Sequence, residues 1–98
     1  MNERQRGDFG TIVHFRHRIG RAIRQARKSR KMTQGEVARY LSWTRTTVVA
    51  IENGTQATTV DQLVRLAILF KTGVSSFFPL GIIPPDDLAK LEGPSRLL

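Results

Sequence analysis

Residues Met32 to Gly54, MTQGEVARYLSWTRTTVVAIENG, decide the fold of this chain. Thr33 can cap a helix, and Glu36, three residues on, can reach back to it, which is a capping box. Val37, Ala38 and Leu41 then follow at helical spacing. Ser42 and Trp43 interrupt the pattern. Thr44 caps a second helix that runs to about Asn53 with Val48 and Ile51 turned inward, and Gly54 is a good stop. Trp43 precedes the cap and Val48 is the fourth helical position, a pairing that fits a hydrophobic staple and would fix the entry angle of the chain. The second helix opens on Thr44, Arg45, Thr46 and Thr47, a row of hydrogen-bonding side chains.

Two short helices joined by a tight break, the second with a polar first turn, have the layout of a helix-turn-helix. In that motif one helix braces and the next enters the DNA major groove. The surrounding charge agrees. The chain has 98 residues and a formal charge of +8. No acid lies between Asp8 and Glu36, and Arg16, Arg18, Arg21, Arg24, Arg27, Lys28, Arg30 and Lys31 fall in that interval, half of the 16 Lys and Arg. A polyanionic partner is the natural reading. A solvated basic helix face is the plain alternative, and an anionic membrane surface a weaker one, because no Trp- or Leu-rich face accompanies the charges.

Composition excludes several classes. The length supports one domain. With no cysteine, a disulfide scaffold and a thiolate metal site are both ruled out. No run of eighteen apolar residues is present and MNERQRGDFGTIV holds no signal-peptide core, so a cytoplasmic, nucleoid-associated protein is expected, with no membrane partner. His14 and His17 stand three apart, but no nearby carboxylate or thiol completes a metal site. Asp86 and Asp87 are adjacent rather than facing, and no Ser/His/Asp set or phosphate-binding glycine loop occurs. No enzyme, no metal and no cofactor is expected.

Outward from the central segment, five helices are expected. The first runs from about Val13 to Lys31 on a stripe of Phe15, Ile19, Ala22, Ile23 and Ala26, in which Gly20 permits close approach of a neighbour. Residues 1–12 are polar and glycine-containing and are expected to form a flexible N-terminal arm. Thr59 and Gln62 make a second capping box that opens helix four through Phe70, with Gly73 ending it. Ser75 is expected to cap a short last turn that Pro79 closes. Residues 80–98 then form a C-terminal extension, in which Pro85-Asp86-Asp87-Leu88 could begin one more short helix.

The elements IGRAIRQARKSRKMTQ, EVARYL, TRTTVVAIENG and TVDQLVRLAILFKTGVSSFF, in this order and spacing, resemble the phage repressor and Cro family of helix-turn-helix domains, also called the xenobiotic-response-element family. The resemblance covers about Ile19 to Phe78. It implies an all-α, five-helix lambda-repressor-like domain over residues 13–79, with helix three reading double-stranded DNA. Carried over by position, Arg45, Thr46, Val49 and Ala50 face the bases. Arg45 can bond both guanine acceptors, Thr46 offers a hydroxyl and a methyl, and Val49 and Ala50 can meet a thymine methyl. Arg45 on a phosphate and Val49 in plain side packing are the alternatives. Phosphate contacts are implied for Thr33, Gln34, Thr44, Asn53, Thr55 and Gln56. For Thr33 and Thr44 capping is a compatible second role, and for Thr55 and Gln56 a solvated loop is the alternative. Arg27 and Glu52 match a buried ion pair of the phage repressors. Ser42 stands where the family usually has Gly, which implies mild strain, and Gly35 sits where a stronger helix former is commoner.

One such helix reads few base pairs, so a homodimer on a palindrome is expected. Helix four is apolar nearly all round, and Ile68 and Leu69, with Leu80, Ile82 and Ile83, are the expected interface. The alternative is a monomer whose tail folds back over this patch. The resulting function is a sequence-specific transcriptional regulator, a repressor in the first instance. A second reading is an antitoxin-type protein, since small members of this family often neutralise a toxin partner while repressing their own operon. A third is a coactivator-like bridging protein. The first and second part at Arg45 and Thr46, which operator binding requires and toxin neutralisation does not.

Overall fold

The computed structural model describes the backbone of residues 3–78 and the side chains of residues 10–78. Within them lie four α-helices, α1 (Glu3–Ser29), α2 (Gln34–Leu41), α3 (Arg45–Asn53) and α4 (Val60–Phe70), then a 3₁₀ helix at Val74–Phe77, and no strand. The fifth helix expected from the sequence is thus a 3₁₀ turn. Its N-cap is Gly73 without a side-chain cap, so the expected cap at Ser75 is corrected. The Ser76 hydroxyl donates instead to the Gly73 carbonyl at 2.7 Å. Leu80, Ile82, Ile83 and the proposed Pro85–Leu88 helix lie outside the described residues.

The N-terminal boundary also moves. Helix α1 starts at Glu3, not near Val13, so residues 3–12 are helical. The buried stripe itself starts earlier than its aliphatic members suggest, at Thr11. Thr11, Ile19, Ile23 and Arg27 are buried at four-residue steps, and Phe15 packs against the core between them. No proline precedes Pro79, and glycines at 7 and 10 weaken a helix by about 1 kcal/mol each without ending it. Phe15 also meets Phe78 with ring centroids 5.8 Å apart, tying the middle of α1 to the end of the 3₁₀ turn.

The short helices start where their caps dictate. Thr33 Oγ1 accepts from the Glu36 amide at 3.0 Å, and the Thr33 amide donates to Glu36 Oε1 at 2.9 Å. Thr59 and Gln62 repeat this at 3.1 and 3.0 Å. Thr44 Oγ1 accepts from the Thr47 amide at 3.1 Å. The helix ends use left-handed residues: Ser42 (φ 59°), Gly54 (φ 74°) and Lys71 (φ 55°). Lys71 therefore stops α4, two residues before the expected Gly73. Ser42 and Lys71 each carry a backbone strain of about 1 kcal/mol that Gly54 avoids. Two arginines offset part of it by meeting terminal carbonyls, Arg65 Nη2 on Leu41 O at 2.7 Å and Arg30 Nε on Phe70 O at 2.7 Å.

The core joins all five elements through Ile23, Val37, Val48, Ile51, Leu66, Phe70 and Phe77, each nearly inaccessible. Its tightest contact is between α1 and α3. A Cβ at Gly20 would lie 2.5 Å from both the Ile51 and Glu52 carbonyl oxygens. Gly54 meets the same limit, since its Cβ would lie 2.8 Å from His17 Cα. Gly20→Ala should therefore force α1 from α3 and cost about 1–3 kcal/mol. Urea unfolding should show a lower midpoint at unchanged slope; an unmoved midpoint would mean that the helices separate without cost.

Candidate nucleic-acid interface

The turn between α2 and α3 is held from both sides. The Trp43 amide donates to the Ala38 carbonyl at 2.8 Å, and the Arg65 guanidinium lies over the Trp43 ring at 5.5 Å. With Val48 buried and Trp43 packed on the core, the direction of α3 is fixed. That direction buries Val48, Ile51 and Glu52 and leaves Arg45 and Thr46 exposed, with Val49 and Ala50 half-buried beside them. The Arg45 and Thr46 side chains make no hydrogen bond or ion pair with any described residue.

The end of α3 is anchored by a charge network. Arg27 Nε donates to Glu52 Oε2 at 2.6 Å and Nη2 to Oε1 at 3.0 Å, while Nη1 donates to the Met32 carbonyl at 2.8 Å. Gln34 Nε2 adds a 3.2 Å bond to Glu52 Oε1. The two charged side chains are 10% and 1% exposed. One network thus ties α1, the start of α2 and the end of α3, and no buried side-chain polar atom among the described residues lacks a partner.

The residues named for phosphate contact fall into two kinds. Thr33, Thr44, Asn53 and Thr55 are exposed, while Gln34 and Gln56 are half-buried. Thr33 uses its hydroxyl oxygen as an acceptor in the cap, which leaves its O–H to donate outward. Thr55 differs, because its hydroxyl donates to the Ala50 carbonyl at 3.3 Å and its amide does so at 3.0 Å. Gln34 spends one amide proton on Glu52 and keeps the other. Glu36 has its carboxyl held below the usual range, chiefly by the hydrogen bond from the Thr33 backbone, then by the Thr33 side chain and the nearby Arg39 charge. It stays ionised through the neutral range, so the cap at the start of α2 keeps its charge-assisted bond there.

Sequence reasoning missed Arg30 and Arg65, whose partners lie 40 and 24 residues away. It also missed two members of an apolar stripe. On α4 Val60, Val64 and Ile68, four residues apart, are exposed, Val60 and Ile68 by 72% and 71%. Leu69, expected beside Ile68 at an interface, packs partly into the core. Among the described residues no three His, Cys, Asp or Glu side chains converge on a metal-sized site, and no helix is long and apolar enough to cross a membrane.

A family model described as helix-turn-helix, of the Cro/cI type, matches residues 23–77, more than half of the chain. The chain belongs to the Cro/cI-type helix-turn-helix family. It is accordingly a DNA-binding transcriptional regulator. The match runs from the buried Ile23 to the buried Phe77 and so includes both helices of the motif, all of α4 and the last seven residues of α1. No curated protein and no solved structure matches the chain.

Proposed function

We propose that the protein is a sequence-specific repressor that occupies a palindromic operator as a homodimer, with α3 of each copy in one major groove. The observation that carries this reading is the first turn of α3, where the Arg45 and Thr46 side chains are exposed and unengaged by any described residue, on a helix whose opposite face is buried. Arg45 reads a guanine, Thr46 an adjacent base, and Val49 and Ala50 close against a thymine methyl. Thr33, Gln34, Thr44, Asn53, Thr55 and Gln56 hold the register on phosphates, Thr55 through its lone pairs only by way of a bridging water.

The dimer reading rests on the exposed Val60, Val64 and Ile68 stripe, an apolar row on a helix that already buries its other face. Leu80, Ile82 and Ile83 complete the interface in this proposal. Selection of binding sites from random duplexes tests both parts. The expected outcome is a palindrome with half-sites about 34 Å apart, one turn of DNA. Equal binding of selected and random duplexes at physiological salt would refute operator reading, and a selected site without two-fold symmetry would refute the dimer.

A further inference from the structure

We infer that α1 and the end of α3 together form a phosphate-binding groove, in which Arg21 and Arg24 of α1 join Asn53 on the DNA backbone. His17, Arg21 and Arg24 recur at helical spacing on α1 and are all exposed. The close packing at Gly20 and Gly54 sets this row against the C-terminus of α3, and an open groove of about 220 Å³ results, lined by His17, Arg21, Arg24, Glu52 and Asn53.

The chemistry of the lining favours an anion. The Arg21 and Arg24 side chains make no ion pair or hydrogen bond with any described residue. The single carboxylate, Glu52, is buried and has both oxygens engaged by Arg27, with Gln34 on one of them, so its charge is matched within the network. Asn53 is exposed on the facing wall and brings an amide N–H₂ donor. Two guanidiniums without a partner among the described residues and an amide, around one small groove, suit the two free oxygens of a phosphodiester.

Position selects the source of that phosphate. This step rests on the proposed seating of α3 by its first turn. From Arg45 to Asn53 the helix advances about 12 Å, and the major groove is about 8.5 Å deep. The far end of a helix seated by its first turn therefore stands level with the backbone bordering the groove. The ligand is a phosphodiester of the same duplex, flanking the bases that α3 meets. Arg21 and Arg24 raise affinity there without reading sequence.

Phosphate-ethylation interference and salt titration on the selected duplex, with the full chain and its Arg21→Ala/Arg24→Ala variant, test this. The expected result is a phosphate whose ethylation blocks the unaltered protein and is neutral for the variant. The slope of log K on log salt should also become shallower by about one unit for that phosphate. Identical interference maps and slopes would overturn the groove. A shallower slope with identical maps would overturn it too, since the arginines would then act as a diffuse field. If the unaltered protein shows no preference for the selected duplex, the seating of α3 fails instead, a distinct result. Both arginines are exposed, so an unchanged melting temperature verifies the fold of the variant; should it not fold, the ethylation map of the unaltered protein still decides, by whether it shows a sensitive phosphate beyond those facing α2 and the α3–α4 loop.

Discussion

Glu52→Ala is expected to lower folding stability by about 3–5 kcal/mol. The Arg27 guanidinium would remain only 10% exposed with two of its three hydrogen bonds gone, and water could not reach it well enough to replace them. Gln34 would lose its partner as well. Domains of this size hold roughly 5–15 kcal/mol in total, so the loss would unfold a large share of the molecules on mild heating. Urea titration of the two proteins measures it, and a difference under about 1 kcal/mol would show that the network is solvated in solution. A second variant separates the cost of an orphaned charge from the value of the pair. Arg27→Met with Glu52→Leu removes both charges and should recover most of the loss, because an apolar pair of similar volume avoids desolvation altogether. If the double variant is as unstable as Glu52→Ala, the pair itself, and not the unmatched guanidinium, holds α3 to α1.

What could be foreseen in the sequence was local. Thr33 with Glu36, and Thr59 with Gln62, lie three residues apart, so their capping geometry is written within one turn of chain. The left-handed Ser42 was implied by resemblance, since it stands where the family usually has Gly. The exposure of Arg45 and Thr46 follows from the period of Val48 and Ile51. The Arg27–Glu52 pair spans 25 residues and was accessible through family resemblance alone. What escaped required the third dimension. Nothing near Arg30 or Arg65 announces that each ends on the carbonyl of another helix. The extension of α1 to Glu3 was hidden by two glycines and by Thr11, a polar residue whose burial no hydropathy pattern indicates. The apolar surplus of α4 was legible, but its division between core and surface was not. Leu63, Leu66, Ala67 and Phe70 face the core and Val60, Val64 and Ile68 face outward, and only the packing of α4 on its neighbours makes that division. The groove beside Asn53 was missed for a similar reason, since Arg21 and Asn53 are brought together by the close approach at Gly20.

Arg45→Ala, alone and with Thr46→Ala, should alter specificity more than stability. Both side chains are exposed and unengaged, so the melting temperature should stay within the scatter of surface substitutions. On the selected operator, loss of a two-bond contact to guanine should weaken binding by about 1–3 kcal/mol for each half-site, roughly 5- to 150-fold each. The informative comparison is with operators altered at the base pair that Arg45 meets. If Arg45 reads that base, the variant should bind original and altered operators alike, and its salt slope should be nearly unchanged. If Arg45 rests on a phosphate, binding should weaken on all duplexes together and the slope should fall by about one for each half-site. The double variant extends the argument. With Arg45 and Thr46 gone, the base-facing side of α3 retains only Val49 and Ala50, whose apolar contacts distinguish little beyond a thymine methyl. Such a protein should keep the salt-dependent affinity that its basic α1 supplies and lose most of the preference for its operator. Substantial preference remaining in the double variant would shift the source of specificity from these side chains to the shape and bendability of the DNA, which the protein can sense at base pairs that no side chain touches.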